Sequence, residues 1–229
     1  METQLHYQLK QAYASTADQT EVTVGSYRID AVAKNGELIE IQHASLGALR
    51  DKTRKLLASE EQYRLRIVKP IIARKWIVTL DADTMLPLRR RMSPKRGEVM
   101  DVFMDLVHFA KLFPHPRLAL DVVLVDAEEI RTPKLKHRFR RKNYIIEEQR
   151  LLDIIETVSL KRSTDLYRLM PKLKLPKQFD SGMLAEQIGR PRWFAQKVAY
   201  CLMHCGVVDE AGKSGNSRLY RRTSARRAA

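Results

Sequence analysis

The chain has 229 residues, of which 44% are hydrophobic and 30% charged, a balance that describes a globular protein of one or two domains. Two cysteines exclude a disulfide scaffold, and no early apolar stretch or run near 18 apolar residues marks a signal peptide or a membrane span, so the cytoplasm is the expected location. The net charge is +15 and uneven: residues 1–130 balance to +1 and residues 131–229 to +14, a field that draws polyanions, with nucleic acid ahead of anionic membrane.

In chain order, residues 3–14 read as an amphipathic helix with Leu5, Leu9 and Ala12 on its buried stripe. Glu21–Val24 reads as a first strand. Two apolar runs then flank Lys34-Asn35-Gly36-Glu37, and Asn-Gly between such runs signals a tight hairpin. Alternation puts Glu40 and Gln42 on one face of the second run, with Ile39 and Ile41 on the other. Pairing the runs brings Asp30 toward the Glu40 face. Two carboxylates converging in an otherwise apolar sheet repel one another and lose hydration, and a divalent cation with oxygen ligands relieves both costs. An ordinary solvated sheet face is the competing explanation. His6 and His43 can lie near the acids, although the same alternation points His43 away from Glu40.

Ser45 is the expected N-cap of a helix through about Ala58, with Arg50, Lys52, Arg54 and Lys55 on its outer side. Tyr63–Ile72 and Lys75–Leu80 read as further strands, the first interrupted by Pro70, which argues for an edge or a bend there. Arg89–Gly97 reads as a basic loop, Glu98–Leu112 as a strong helix, and Leu118–Val125 as a central strand. Arg131–Lys142 carries seven Lys or Arg in twelve residues, including Arg138, Arg140, Arg141 and Lys142, and reads as a strip lying along phosphates. Ile145–Leu160 reads as a connecting helix. Asp180 or Ser181 caps a short helix stopped by Gly189, and a second helix starts at Pro191 and ends near Cys205. Val207-Val208 starts a strand, and a polar turn leads to Ser217–Arg222. Trp193 reads as part of a packing seam. Cys201 and Cys205 are one helical turn apart with no second pair, so they read as core residues rather than zinc ligands. No phosphate-cradling Gly-x-x-x-x-Gly-Lys motif is present.

Asp30 followed by Glu40-Ile41-Gln42 resembles the acid … Glu-x-Lys signature of the PD-(D/E)XK nuclease superfamily, with glutamine in the usual lysine position. Gly25-Ser-Tyr-Arg-Ile-Asp-Ala-Val-Ala33 is similar to the Gly-x-x-x-Ile-Asp-x-x-Ala stretch of Holliday-junction resolvase-like members. The resemblance implies an α/β class, a mixed-sheet αβββαβ restriction-endonuclease-like core over residues 1–130, with Asp30, Glu40 and the carbonyl of Ile41 holding magnesium or manganese. Gln42 would orient water or phosphate, since an amide carries no charge. Lys52 or Lys55 would replace the missing positive charge, and Glu2 would be the family's first-helix acid.

Residues 161–222, after a basic linker and connecting helix at 131–160 and before a basic tail at 223–229, resemble a winged helix-turn-helix domain. That resemblance implies DNA contacts by Arg190, Arg192, Gln196 and Lys197 on the second helix, and by Lys213, Arg218 and Arg221 in the wing. A metal-dependent DNA nuclease placed by its winged helix is the expected function. The alternative is a DNA-binding transcriptional regulator whose nuclease-like core is inactive, with RNA as a further polyanionic partner. Resolvase-like enzymes often work as homodimers, and the sequence carries no interface signature.

Overall fold

The computed structural model describes residues 3–16, 19–134 and 143–223. Two compact units interleave along the chain: residues 1–43, 70–98 and 123–157 make up one, and residues 44–69, 99–122 and 158–229 the other. The class is α/β. The elements from the start are α1 (Gln4–Tyr13), β1 (Thr20–Val24), β2 (Tyr27–Val32), β3 (Leu38–Ile41), a 3-10 turn at Leu46–Leu49 running into α2 (Arg50–Ala58), and β4 (Leu65–Leu80). Further on come β5 (Pro87–Met92), a 3-10 turn at Val99–Val102 with the single-turn α3 (Phe103–Leu106), β6 (Leu118–Pro133) and β7 (Tyr144–Leu160). The strand order of the large sheet is β1-β2-β3-β4-β6-β7, with β5 beside β4.

In the first unit the hairpin forms as its turn chemistry dictates. Gly36 takes φ 75°, a conformation that a Cβ would oppose, and the Asn35 side chain accepts the Glu37 amide at 3.1 Å. Antiparallel pairing sets Ala31 opposite Ile39 and Val32 opposite Leu38. Ile29, Ala31, Ile39 and Ile41 are buried, as are Leu5 and Leu9 of α1. Thr3 caps α1 by accepting the His6 amide.

Several elements differ from expectation. β4 runs without a break through Pro70, which is buried. A proline has the φ of an extended chain and removes only one ladder donor, so the strand survives it. Pro87–Met92 is a fully exposed strand rather than a loop. The stretch after Glu98 is a chain of tight turns in place of a long helix: His108, Phe109 and Leu112 each donate a backbone N–H three residues back, to Asp105, Leu106 and Phe109. A repeat of three serves the same burial, since Val102, Phe103, Leu106, Phe109 and Ala110 are all inside. Residues 144–160 are the 17-residue strand β7, not a helix. The β-branched Ile145, Ile146, Ile154, Ile155 and Thr157 favour that choice, and their apolar pairs imitate helical spacing. The boundary expected at residue 130 therefore falls inside β6, and 131–160 is not a linker.

An ion-pair network surrounds Glu129 in the first unit. Glu129 is 2% exposed and accepts from Lys75 at 2.9 Å, from Gln149 at 2.8 Å and from Arg131. Burial alone would raise its pKa, but these donors outweigh burial and hold the carboxyl below its usual range.

In the second unit a 3-10 segment, Ser163–Leu169, leads to β8 (Gln178–Phe179), α4 (Ser181–Ile188), α5 (Arg192–His204), β9 (Val208–Ser214) and β10 (Ser217–Arg222). The small sheet has the order β8-β10-β9. Asp180 caps α4 with one carboxylate oxygen that accepts the amides of Gly182 and Met183, and Gly189 closes it at φ 62°. Phe179, Leu184, Phe194, Val198, Cys201 and Leu202 fill this core. Among the described residues no helix is long and apolar enough to cross a membrane.

Candidate functional site

The hairpin register fixes the acids. The paired positions are Ala31–Ile39 and Val32–Leu38, and Asp30 and Glu40 are the next residues beyond them along β2 and β3. Glu40 is 5% exposed and Asp30 is half-buried. The Asp30 carboxylate is engaged on both sides: its Oδ2 accepts the Ile41 amide at 2.7 Å, and its Oδ1 lies 3.3 Å from His6 Nε2. Burial would raise the Asp30 pKa, yet the bonds from His6 and Ile41, with the charge of Lys10, outweigh it and hold the group below the usual carboxylate range. Asp30 is therefore ionised at neutral pH.

The helix α1 supplies the cationic side. His6 and Lys10 are four residues apart and so share one face, beside the Leu5–Leu9 stripe. Lys10 is 2% exposed and bonds to Glu21, which also pairs with Arg28. Glu21 itself takes φ 57°, an uncommon backbone for a residue with a side chain, which places it between the paired Thr20 and Val22. His6 also stacks on His43, with ring centroids 5.6 Å apart. The expectation that His43 faces away from the acids fails here. β3 ends at Ile41, so strict alternation does not reach residue 43. The sequence placed His6 near the acids, and the structure adds its bond to Asp30.

The oxygen set of Asp30, Glu40 and the Ile41 carbonyl suits magnesium, which keeps most of its waters and binds through one or two carboxylates. Among the described residues no group of three or more His, Cys, Asp or Glu side chains is placed to hold a metal. Any cation here would thus rest on two acids and main-chain oxygen. Gln42 is half-buried beside them in sequence, and Lys52 is half-buried on α2, in the other unit. Glu2 lies outside the described residues.

The second unit carries the expected nucleic-acid residues. Gln196, Lys213, Arg218 and Arg221 are exposed and Lys197 is half-buried. Arg192 is exposed, with bonds to Ser181 at 3.2 Å and Ser217 at 2.8 Å that tie α5 to α4 and β10. Arg190 is held more firmly, paired with Asp101 at 3.1 Å and lying over the Phe194 ring, so its guanidinium serves packing. Arg218 pairs with Glu210 at 3.3 Å. Trp193 is 54% exposed and lines an open groove with Gln196, Lys197 and Tyr200, contrary to its expected place in a packing seam. It precedes the buried Phe194 and Ala195, so it falls on the outer side of the helix. Arg131 spends its charge on Glu129 and its guanidinium face on Tyr144, 3.8 Å away, rather than on a phosphate strip. Arg138, Arg140, Arg141 and Lys142 lie outside the described residues.

Cys201 and Cys205 are free, buried thiols; burial raises both pKa values, that of Cys205 to about 12. Such thiols are poor nucleophiles and metal ligands, as the core reading of the sequence requires.

Residues 3–161 match the model of a family described as "Domain of unknown function (DUF8091)". An uncharacterized protein of Treponema pallidum (strain Nichols) is 28% identical over 221 residues, covering 96% of this chain and 85% of that protein. No solved structure matches the chain.

Proposed function

The chain belongs to the DUF8091 family, and we propose that it is a metal-dependent nuclease acting on DNA. The observation that carries this reading is Asp30, its carboxylate accepting the Ile41 amide and held below the usual carboxylate range, on the strand beside the one that bears the buried Glu40. The order α1-β1-β2-β3-α2-β4 supports it, because an αβββαβ succession with the acids on the second and third strands is the pattern that the PD-(D/E)XK resemblance implies.

A divalent cation held by Asp30, Glu40 and the Ile41 carbonyl would supply an activated water and a Lewis acid for phosphodiester hydrolysis. His6 and the Ile41 amide orient the Asp30 carboxylate, and their donors keep it deprotonated. Gln42 can donate and accept a hydrogen bond but cannot transfer a proton, so its part is orientation. In the second unit, β8-α4-α5-β9-β10 with β10 between its two neighbours is the arrangement expected of a winged helix. The exposed Gln196 on α5 and Lys213 and Arg221 in the hairpin would then contact DNA.

The test is cleavage of labelled branched, duplex and single-stranded DNA in magnesium or manganese. The double variant Asp30→Ala/Glu40→Ala runs alongside. Cutting by the wild type alone supports the nuclease. A second reading is a DNA-binding regulator with an inactive core, favoured by two facts: both Asp30 oxygens already have donor neighbours, and residue 42 is uncharged. It predicts tight binding to one sequence, no cleavage, and no effect of Asp30→Ala. Under either reading, neutralising Lys213 or Arg221 should lower the slope of log affinity against log salt by about 1 each.

A further inference from the structure

The second unit contains a cavity of about 740 Å3 that neither the acid pair nor the exposed hairpin face uses. That volume lies in the range of small-molecule sites, about 300–1,000 Å3. Its lining brings together the side chains of Lys161, Arg162 and Arg222 with Tyr167, Pro116 and Thr223. Among the described residues no acidic side chain is in the lining. The nearest carboxylate in sequence, Asp165, is already occupied by the backbone amides of Lys161 and Arg162, each at 2.8 Å.

Two features point to a ligand rather than to a solvated basic surface. Arg222 lies over the Tyr167 ring at 5.4 Å, which holds a guanidinium able to bind an anion through two N–H groups at the cavity wall. The Thr223 hydroxyl is buried and, among the described residues, has no hydrogen-bond partner. An unmet buried hydroxyl is uncommon, and a ligand oxygen satisfies it. Pro116 and Tyr167 in the lining offer apolar surface against which a ring can pack. The Cys205 thiol on the wall is kept neutral by burial and faces the Ala110 carbonyl at 3.8 Å, so it adds no chemistry.

We propose that this cavity binds a phosphate monoester carrying a planar ring, of the size of a nucleoside monophosphate. The phosphate sits among Lys161, Arg162, Arg222 and the Thr223 hydroxyl, and the ring packs against Pro116 and Tyr167. The same group comes either from a free nucleotide or from the 5′ end of a cut strand.

Calorimetric titration of the full chain, with chelator present and no DNA, separates this proposal from the nuclease reading, since neither metal nor cleavage enters the measurement. The probes are adenosine and guanosine 5′-monophosphate, adenosine, inorganic phosphate, and a 5′-phosphorylated dinucleotide. One monophosphate is expected to bind at a single site. Adenosine without phosphate should bind at least about tenfold more weakly, the loss of charge-assisted hydrogen bonds. The exposed pair change Lys161→Gln/Arg162→Gln should weaken binding by roughly tenfold or more, and Thr223→Val by roughly fivefold, with unfolding temperatures reporting that the variants are folded. A dinucleotide that binds more tightly than the free monophosphates assigns the site to strand ends, and the reverse assigns it to free nucleotide. If no monophosphate binds the wild type, or if the double variant binds as tightly as the wild type, the proposal is wrong.

Discussion

Asp30 shows how a single side chain can be held in one protonation state by its donors. Its folded pKa lies below the unfolded value of about 3.9. On acidification the unfolded chain therefore takes up this proton first. The stabilisation from Asp30 is present above the unfolded pKa and disappears as pH falls through the lower, folded one. Denaturant unfolding of the wild type against Asp30→Asn should show a gap of about 1 kcal/mol near pH 6 that closes toward pH 2. A gap that does not change with pH would mean that shape, not charge, is what Asp30 contributes. Glu129 is the harsher case. Replacing it with alanine strands three donors, Lys75, Arg131 and Gln149, around a buried void. We expect Glu129→Ala to cost about 3–5 kcal/mol by urea unfolding. A loss under about 1 kcal/mol would show that water enters and replaces the carboxylate.

Among the elements, α4 depends visibly on its cap. Asp180 Oδ1 serves two amides, and the Met183 amide first, then that of Gly182, pulls the carboxyl below its usual range against the opposing effect of burial. Asp180→Ala should lower stability by about 1 kcal/mol at pH 7, measured by thermal unfolding. Because the folded pKa is depressed, that difference should shrink in acid as the capping carboxylate of the wild type is protonated. This cap was legible in the sequence, as was the Gly189 stop, since both rest on local chemistry within a few residues. Pro191, expected as the first helical residue, instead serves as the N-cap of α5. The Asn35-Gly36 turn, and with it the pairing of β2 with β3, was readable for the same reason. β7 was not. Its apolar pairs Ile145-Ile146, Leu151-Leu152 and Ile154-Ile155 fit a helix period and a strand equally, and the partner strand that decides the matter starts at Leu118, far back along the chain. The contact of His6 with Asp30 was readable only as nearness to the acids, because it joins a helix to a strand across 23 intervening residues.

At the scale of the molecule, the two interleaved units set what can be removed. A chain cut after Ile130 ends inside β6 and lacks β7, so it is not the self-sufficient core that charge distribution and strand signals suggested. Calorimetry on residues 1–130 should show no cooperative transition, whereas the full chain should show one; a sharp transition in the fragment would overturn this. Charge asymmetry was a faithful reading of composition and a poor guide to boundaries, because +14 in the last 99 residues is spread over parts of both units. The exposed strand β5 has a different consequence, for how copies of the protein behave in a crowded solution. Among the described residues it pairs with β4 alone, and Leu88 at 65% and Met92 at 44% exposure would suit a second chain docking edge to edge. Arg89, Arg90 and Arg91 stand between them, and two such edges repel before their amides can meet. The same triplet that reads in sequence as the start of a basic loop would thus guard against aggregation, and a bound polyanion would remove that guard.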